Sequence, residues 1–250
     1  MMKRIICILL VFLCVGTSLG CLKQDDSKQW YFKRKGNGET TISYTEDFLQ
    51  KTNIYWKDLS GKKTVYLTFD AGYINENVLK ILEILKEEEV NAAFFILGHP
   101  VLKNTEVIRR MKDDGHLVCN HTKNHKDISK MSREEIIKNI GDLEKIYKEK
   151  TGLEMDKYFR PPEGKFSEDS LLVLKELGYK NIFWSYAYAD WDEQNQMSDK
   201  KALEKLTNNL HPGEILLLHP TSKTNAQILK DFIRYAKAEG YSFCSLDNLK

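Results

Sequence analysis

The chain lacks the features of several protein classes. Its 250 residues contain only five cysteines and five prolines, and three of the cysteines lie within the first 21 residues. This length and the 42% hydrophobic content exclude a small disulfide-stapled scaffold and a collagen-like or disordered chain. The chain is long enough for one sizeable hydrophobic core, or at most two small ones.

The chain also lacks an excess of charge of one sign. Its formal net charge is +2, and two of its basic residues, Lys3 and Arg4, lie at the extreme N-terminus. Without residues 1–21 the chain has 36 basic and 36 acidic residues. A nucleic-acid-binding protein that depends on a large basic excess is therefore not expected.

Residues 1–21 have the pattern of an export leader. Lys3 and Arg4 precede an apolar run, residues 5–15, which is shorter than the roughly 20 residues that a membrane span needs. Small residues then lead to Cys21, and this resembles a bacterial lipoprotein site at which the cysteine is lipidated. Ordinary cleavage and a retained anchor are the alternatives. We expect an extracytoplasmic, cell-envelope protein that contacts the membrane only through this leader or its lipid.

Two cysteines lie beyond the leader, Cys119 and Cys244. Each ends a short apolar stretch, which favours two small buried core residues. A disulfide between them is the alternative, and the sequence does not decide between the two.

The rest of the chain divides into an irregular part and a regular part. Residues 22–61 are polar and without a clear period, which indicates a linker and an N-terminal arm. From residue 62 to residue 250, short apolar strands alternate with helical stripes. The predicted strands are 64–69, 92–97, 116–119, 158–160, 181–184, 215–219 and 241–245. The predicted helices are 77–89, 105–114, 132–150, 167–177, 199–210 and 225–239.

This alternation predicts an α/β fold with a parallel sheet and helical crossovers. About seven such units favour a single, distorted (β/α) barrel over a small open sheet. In such barrels the chemistry lies at the C-terminal ends of the strands. Polar residues follow five of the predicted strands, and they are Asp70, the pair His121 and His125, Arg160, Asp190 and His219. Five convergent polar sites are hard to attribute to packing.

His121 and His125 are spaced to bind one metal ion. Histidines four residues apart present two imidazoles on one side of a helix or turn, and imidazole suits zinc or a similar divalent ion. Two ligands leave positions open for water and substrate, as hydrolysis requires. A surface or capping role is the alternative for such a pair.

The other polar residues suit acid–base catalysis. Asp70 suits a general base beside a metal-bound water, although a lone aspartate is equally often a helix or turn cap. Arg160 would pair with it and keep it ionised. Asp190 would raise the pKa of His219, which would then protonate a leaving amine. Together these roles describe the hydrolysis of an amide.

Aromatic residues near these positions have two interpretations. Tyr73 offers either a backbone N–H to an oxyanion or an aromatic wall. Trp184, Tyr186 and Tyr188 alternate as on one face of a strand, and they line either a sugar groove or the core.

These blocks resemble the NodB-type polysaccharide deacetylases, carbohydrate esterase family 4. The resemblance covers residues 62–250, and the blocks T-F-D-A-G, H-T-K-N-H, R-P-P-E-G, D-W and L-L-H occur in the family's order. It implies that Asp70 is the base, His121 and His125 are metal ligands, and His219 is the acid. It further implies that Arg160 tunes the base and Asp190 tunes His219. The implied substrate-binding residues are Tyr73, Trp191 and Pro162.

One position departs from the family pattern. Ala71 stands where the family carries an aspartate that is the third metal ligand, so we expect weaker metal binding. A subgroup that deacetylates muramic acid, on the way to the δ-lactam of spore peptidoglycan, also lacks this aspartate. The chain resembles that subgroup in F-W-S-Y-A-Y-A-D-W (183–191), H-P-G-E-I-L-L-L-H (211–219), S-K-T-N-A (222–226) and Y-S-F-C-S-L-D (241–247). Glu163, however, stands where the subgroup tends to have arginine.

The resemblance therefore implies a metal-dependent hydrolase that removes N-acetyl groups from N-acetylmuramic acid, with zinc as the expected ion. Peptidoglycan is the expected partner, and we expect a monomer. One alternative is a deacetylase of N-acetylglucosamine in peptidoglycan or a chitin-like glycan. The other is an inactive glycan-binding module, which Ala71 would explain.

Overall fold

The computed structural model describes residues 26–35 and 40–249. The predicted leader, residues 1–21 with Cys21, lies outside these residues. Within them, no helix is both long enough and apolar enough to cross a bilayer.

The strands in this part of the chain are β1 (Lys28–Gln29), β2 (Phe32–Arg34), β3 (Thr40–Ile42), β4 (Ile54–Tyr55), β5 (Thr64–Ala71), β6 (Ala93–Ile96), β7 (Leu117–Asn120), β8 (Asp156–Phe159), β9 (Lys165–Phe166), β10 (Lys180–Ile182), β11 (Tyr186–Ala187), β12 (Glu214–Leu218) and β13 (Ser242–Phe243). The helices are α1 (Glu46–Lys51), α2 (Glu76–Glu87), α3 (Gly98–Lys103), α4 (Thr105–Asp113), α5 (Arg133–Thr151), α6 (Glu168–Glu176), α7 (Asp199–Asn209) and α8 (Lys223–Ala238).

One parallel sheet forms the centre of the fold. Its strand order is β11-β12-β5-β6-β7-β8-β10-β4, and β13 pairs with the start of β5. The segment 180–187 carries both β10, which pairs with β8, and β11, which pairs with β12. Ser185, between these two strands, donates its backbone N–H to the carbonyl oxygen of Ile215 at 3.0 Å. This segment therefore joins the two sides of the sheet, and the predicted single, distorted barrel is confirmed.

The predicted strands and helices are present at nearly the predicted positions. The seven predicted strands correspond to β5, β6, β7, β8, β10, β12 and β13, and the six predicted helices to α2 and α4 to α8. Helix α5 begins where predicted, because the Ser132 hydroxyl accepts from the Glu135 N–H and the Glu135 carboxylate accepts from the Ser132 N–H. Helix α3 was not predicted, since it begins with Gly98 and contains Pro100, both poor helix formers.

Strand β5 separates two layers of the core. Along it Val65, Leu67 and Phe69 are buried among the residues of helices α2 and α8, whereas Tyr66 is buried with residues of β6 and β12. Successive side chains of a strand point to opposite faces, so Asp70 shares the face of Tyr66, inside the barrel. This alternation directs Asp70 towards the other strands and away from the helices.

The N-terminal arm packs on the barrel through aromatic rings. β1 pairs with β9, and β4 adds to the edge of the central sheet beside β10. Trp30 is buried, its ring lies 4.5 Å from that of Phe183, and its indole N–H donates to the carbonyl oxygen of Trp184 at 2.9 Å. The arm therefore covers the strand segment that closes the barrel.

The two cysteines beyond the leader are free thiols in the structure. Cys119 is fully buried in β7, and Cys244 is partly buried just after β13. Both pack in the core cluster inside the barrel, as small apolar residues do.

Candidate active site

Asp70 and Arg160 form a buried ion pair inside the barrel. Asp70 lies near the end of β5, and Arg160 follows β8 directly. The Arg160 Nη1 atom donates to Asp70 Oδ1 at 2.8 Å, and its Nη2 atom donates to the Thr68 hydroxyl at 2.8 Å. The Arg160 guanidinium is fully buried, and it lies 4.2 Å above the ring of Phe95. These contacts fix the guanidinium, which in turn orients the carboxylate.

The surroundings of Asp70 keep it ionised. Burial alone would raise the pKa of this carboxyl, but His121 in its protonated form, the guanidinium of Arg160 and the His219 imidazolium hold the pKa below its ordinary value. The carboxylate is therefore available as a proton acceptor at neutral pH.

Asp190 and His219 form a second pair. The Nδ1 atom of His219, which follows β12, lies 2.7 Å from Asp190 Oδ1. The backbone N–H of His219 donates to Asp190 Oδ2 at 2.8 Å. Asp190 is buried, and about a quarter (26%) of the His219 side chain is exposed. The aspartate thus holds the imidazole from one side and leaves its Nε2 edge for a ligand.

This pairing favours the protonated form of His219. Burial by itself lowers the pKa of the imidazole, but the hydrogen bond and the charge of Asp190 raise it above its ordinary value, and the charge of Asp70 adds to this. His219 is therefore suited to donate a proton, whereas Asp70 is suited to accept one.

His121 lies against the ion pair as a neutral imidazole. It follows β7, its Nδ1 atom lies 2.8 Å from the carbonyl oxygen of Arg160, and its Nε2 atom lies 3.6 Å from Asp70 Oδ2. Burial lowers the pKa of His121 to about 4, so it is neutral at neutral pH. Because Nδ1 donates to the carbonyl, the lone pair is on Nε2, as metal ligation requires.

His125 is brought close to His121 by a tight turn. The ring centroids of the two histidines are 5.1 Å apart, and His125 is exposed. Thr122 and His125 both have positive φ angles, 74° and 57°, and the Thr122 hydroxyl accepts from the His125 N–H at 2.9 Å. The spacing of four residues therefore acts through a turn and not through a helix.

His121 and His125 are two residues of the site whose side chains could bind a divalent ion. The imidazole rings of His121 and His125 lie edge to face with their centroids 5.1 Å apart, and two imidazole donors suit zinc or a similar ion with open coordination sites. Ala71 is fully buried at the end of β5, in the same apolar cluster as Leu67 and Phe69, and supplies no ligand. Among residues 26–35 and 40–249, no group of three or more His, Cys, Asp or Glu side chains is arranged to hold a metal.

The three substrate-binding candidates occupy different environments. Trp191 is 64% exposed, directly after Asp190, and Tyr73 is 43% exposed in the loop that follows β5. The Tyr73 hydroxyl donates to Glu193, so these two loops touch. Pro162, in contrast, is buried in the single turn 162–164 that follows Arg160. The two aromatic side chains are therefore accessible on the surface, whereas Pro162 is enclosed in the turn after Arg160.

That loop ends at a glycine for steric reasons. Gly164 has a φ angle of +67°, and a Cβ atom there would lie 2.9 Å from the Trp184 ring and 3.0 Å from Trp30 Cβ. Trp184 and Tyr186 were each expected to line either a sugar groove or the core. Trp184 packs against Gly164 and Tyr186 is buried, so both belong to the core.

Several residues that support the site were not predicted from the sequence. Thr68 holds Arg160, and Asn225 donates from Nδ2 to Asp190 Oδ2 at 2.5 Å. Thr68 lies in the motif T-F-D and Asn225 in the motif S-K-T-N-A, and these two motifs were the sequence features that could have pointed to them. Glu193 contacts Tyr73 and lies outside those blocks, and no signal pointed to it.

Comparisons with known proteins agree with this arrangement. The sequence profile of the polysaccharide deacetylase family matches residues 57–182. The peptidoglycan-N-acetylmuramic acid deacetylase PdaA of Bacillus subtilis is 36% identical over 247 residues, which is 98% of this chain and 94% of that protein.

Solved structures show the same fold. The structure of Bacillus subtilis PdaA, a family 4 carbohydrate esterase, matches with a TM-score of 0.86 at 36% identity, and covers 90% of this chain and 97% of that chain. A family 4 carbohydrate esterase from Bacillus anthracis matches with a TM-score of 0.74 at 37% identity, and covers 90% of this chain and 96% of that chain. The chain therefore belongs to the polysaccharide deacetylase family, carbohydrate esterase family 4, and is a hydrolase that acts on amide bonds.

Proposed function

We propose that the protein removes the N-acetyl group from N-acetylmuramic acid residues of peptidoglycan, in a pathway that leads to muramic δ-lactam. The observation that carries this proposal is the placing of a base, Asp70 with Arg160, and an acid, His219 with Asp190, at strand ends of one barrel. The name of the Bacillus subtilis relative supports the choice of sugar. In this proposal Asp70 and His219 transfer the protons, and Arg160 and Asp190 set their charge states.

His121 and His125 would hold a divalent ion, with zinc as the expected one. Bound there, the ion would supply Lewis acidity, which lowers the pKa of water and polarises a carbonyl group. The neutral state of His121 suits this role, because no proton has to leave Nε2 before the ion binds. The chain's own contribution is a fixed tautomer, set by the Arg160 carbonyl oxygen.

The proton transfers are assigned to the two pairs. Asp70 accepts a proton from the water that attacks the acetyl carbon, and Arg160 keeps it ionised until then. His219 donates a proton to the nitrogen as the C–N bond breaks, so acetate and a free amine are formed. The opposite pKa shifts of Asp70 and His219 suit these opposite duties.

The glycan would lie against the exposed aromatic side chains. Trp191 directly follows Asp190, the partner of the acid, and Tyr73 lies three residues after the base, and both side chains are exposed. Flat aromatic surfaces suit the apolar faces of sugar rings.

In this proposal the leader 1–21 exports the chain, 22–61 is a linker and arm, and 62–250 is the deacetylase domain that meets peptidoglycan outside the cell.

The test is an acetate assay on defined glycans. Purified protein with added zinc is incubated with peptidoglycan from which an amidase has removed the peptides, and free acetate and δ-lactam are measured by mass spectrometry. We expect acetate from muramic acid residues, and loss of it by about 10²-fold or more in Asp70→Asn. Asp114→Asn, which alters a carboxylate remote from the site, is the matched control.

Other outcomes of this assay would point to other functions. Acetate released from glucosamine residues alone would replace the proposed substrate. Glycan binding without acetate at any added metal would leave the non-catalytic module, which the missing ligand at Ala71 would explain.

A further inference from the structure

Asn225 contacts both Asp190 and His219 from the start of helix α8. Its side chain is 1% exposed. Its Nδ2 atom donates to Asp190 Oδ2 at 2.5 Å and to the carbonyl oxygen of His219 at 3.1 Å. Asn225 therefore touches both members of the pair.

Tyr188 fixes which way the Asn225 amide points. Its hydroxyl contacts Asn225 Oδ1, where a hydroxyl must donate, because an amide oxygen only accepts. The amide nitrogen is thereby turned towards Asp190. Burial, and then the charge of Asp190, raises the pKa of the Tyr188 phenol, which keeps the hydroxyl protonated as a donor.

The backbone around this contact is also held. Ser222 caps α8 by accepting from the Asn225 N–H at 3.1 Å, and its hydroxyl donates to Gln196 Oε1 at 2.6 Å. Gln196 Nε2 donates to the carbonyl oxygen of Asp190 at 3.0 Å. The start of α8 and the loop of Asp190 are thus tied together by side chains, and Asn225 lies at the centre of the contact.

We infer that Asn225, oriented by the Tyr188 hydroxyl, is a positioning residue that holds the Asp190 carboxylate in register with the Nδ1 atom of His219. The inference rests on the proposed function, since it assigns Asn225 to the orientation of the proposed acid. Of the two donors to Asp190 Oδ2, the Asn225 amide and the His219 backbone N–H, only the second remains when Asn225 is replaced. The carboxylate then rotates more freely, and its bond to Nδ1 weakens.

The charged groups around Asp190 and His219 determine how the pKa of His219 should change when Asp190 is displaced. Asp190 acts on His219 from the loop after β11, Asp70 from β5, and Arg160 from the end of β8. Tyr188 faces Asp190, Tyr186 and Asp199. Because Asp190 contributes the largest raising effect on His219, a displaced Asp190 lowers the pKa of the imidazole.

The experiment uses Tyr188→Phe and Asn225→Ala in the full chain. The pH dependence of acetate release and the pKa of His219 in isotope-labelled protein, followed by NMR, are measured for both variants. We expect kcat to fall by about tenfold to about a hundredfold in Asn225→Ala, which loses a hydrogen bond to the charged Asp190, and by a smaller factor in Tyr188→Phe, which loses the bond that orients the Asn225 amide. KM should stay within about twofold, and the alkaline limb and the NMR pKa should both move to lower pH.

Tyr186→Phe is the matched control, because the Tyr186 hydroxyl accepts from Asn209 at the opposite end of the same strand segment. It should leave the His219 pKa unchanged. If Tyr188→Phe and Asn225→Ala lower the melting temperature but leave the pKa of His219 in place, or move it upwards, the positioning role is wrong. A wild-type protein without deacetylase activity would refute the proposed function instead, and the NMR titration would still decide the inference.

Discussion

The Nη1 atom of Arg160 lies 2.8 Å from the Oδ1 atom of Asp70, although the two residues are 90 positions apart in the chain. The contact crosses the barrel interior from the end of β8 to the end of β5. The guanidinium is fully buried, and it also donates to Thr68 and to the carbonyl oxygen of Ile182. The charge state of the proposed base is therefore set by a side chain that solvent does not reach.

Removing this guanidinium should change both stability and pH dependence. Arg160→Met leaves Asp70 without its ion-pair partner, and breaking a buried pair on one side costs about 3–5 kcal/mol. The pKa of Asp70, now held low, should rise, so the acid limb of the activity profile moves to higher pH. Thermal unfolding and a pH profile of acetate release measure the two effects. Arg133→Met, at an exposed arginine of α5 whose partner Glu176 is also exposed, is the control; it should leave the pH profile unchanged and lower stability only slightly, as expected for an exposed ion pair.

Neutralising Asp190 should shift the alkaline limb of the pH–activity profile. The pKa of His219 is raised by Asp190, so the imidazole stays protonated to higher pH than an ordinary histidine. Asp190→Asn removes that charge and lowers the pKa, and the alkaline limb of kcat/KM should move to lower pH. An unchanged alkaline limb would show that His219 is not the proton donor.

Metal affinity should depend on His125, the exposed histidine of the proposed metal-binding pair. His125→Ala removes one of two nitrogen donors, and we expect zinc affinity to fall by about tenfold or more. Isothermal titration calorimetry on protein first stripped with a chelator measures the change. His99→Ala, at an exposed histidine of α3, is the control. Equal affinity in His125→Ala and wild type would remove His125 from the ligand set.

A buried carboxyl far from the site should make stability depend on pH. Glu214, at the start of β12, is fully buried, and one of its carboxyl oxygens has no hydrogen-bond partner. Burial raises its pKa from 4.5 to about 8. The folded protein therefore binds more protons than the unfolded chain between about pH 4.5 and pH 8, so stability falls as pH rises through this window.

Glu214→Gln replaces this carboxyl by a neutral group of the same shape. The melting temperature of the variant should fall less between about pH 5 and about pH 8 than that of the wild type, as measured by calorimetry at several pH values. The control is Glu83→Gln, at a carboxylate on the exposed side of α2. Parallel curves for Glu214→Gln and wild type would show that Glu214 does not titrate in this range.

The local pattern of the sequence was sufficient for most of the elements. Strand β5 reads directly from its β-branched and aromatic residues, and α5 from its capping box and the glycine that follows it. Both signals are local, since they depend on side-chain period and on hydrogen bonds within a few residues. The short strands β4 and β11 have two residues each, too few to show a period.

The polar residues at the strand ends were visible in the sequence, but their partners were not. That Asp70 and His219 follow strands is a property of the chain, and parallel strands bring such ends together. That Asn225 touches Asp190, and that Tyr188 orients it, depends on how α8 packs on the loop after β11.

The sequence by itself determined the alternation of strands and helices, the class of fold and the set of polar residues at one end of the strands. The tertiary structure alone decided that Arg160 is buried inside the barrel, that residues 180–187 join its two sides, and that Ala71 lies in the apolar layer. The physical reason is the separation along the chain of the residues that interact. Period and capping act between residues a few positions apart, whereas strand pairing and burial join residues that only the folded chain brings into contact.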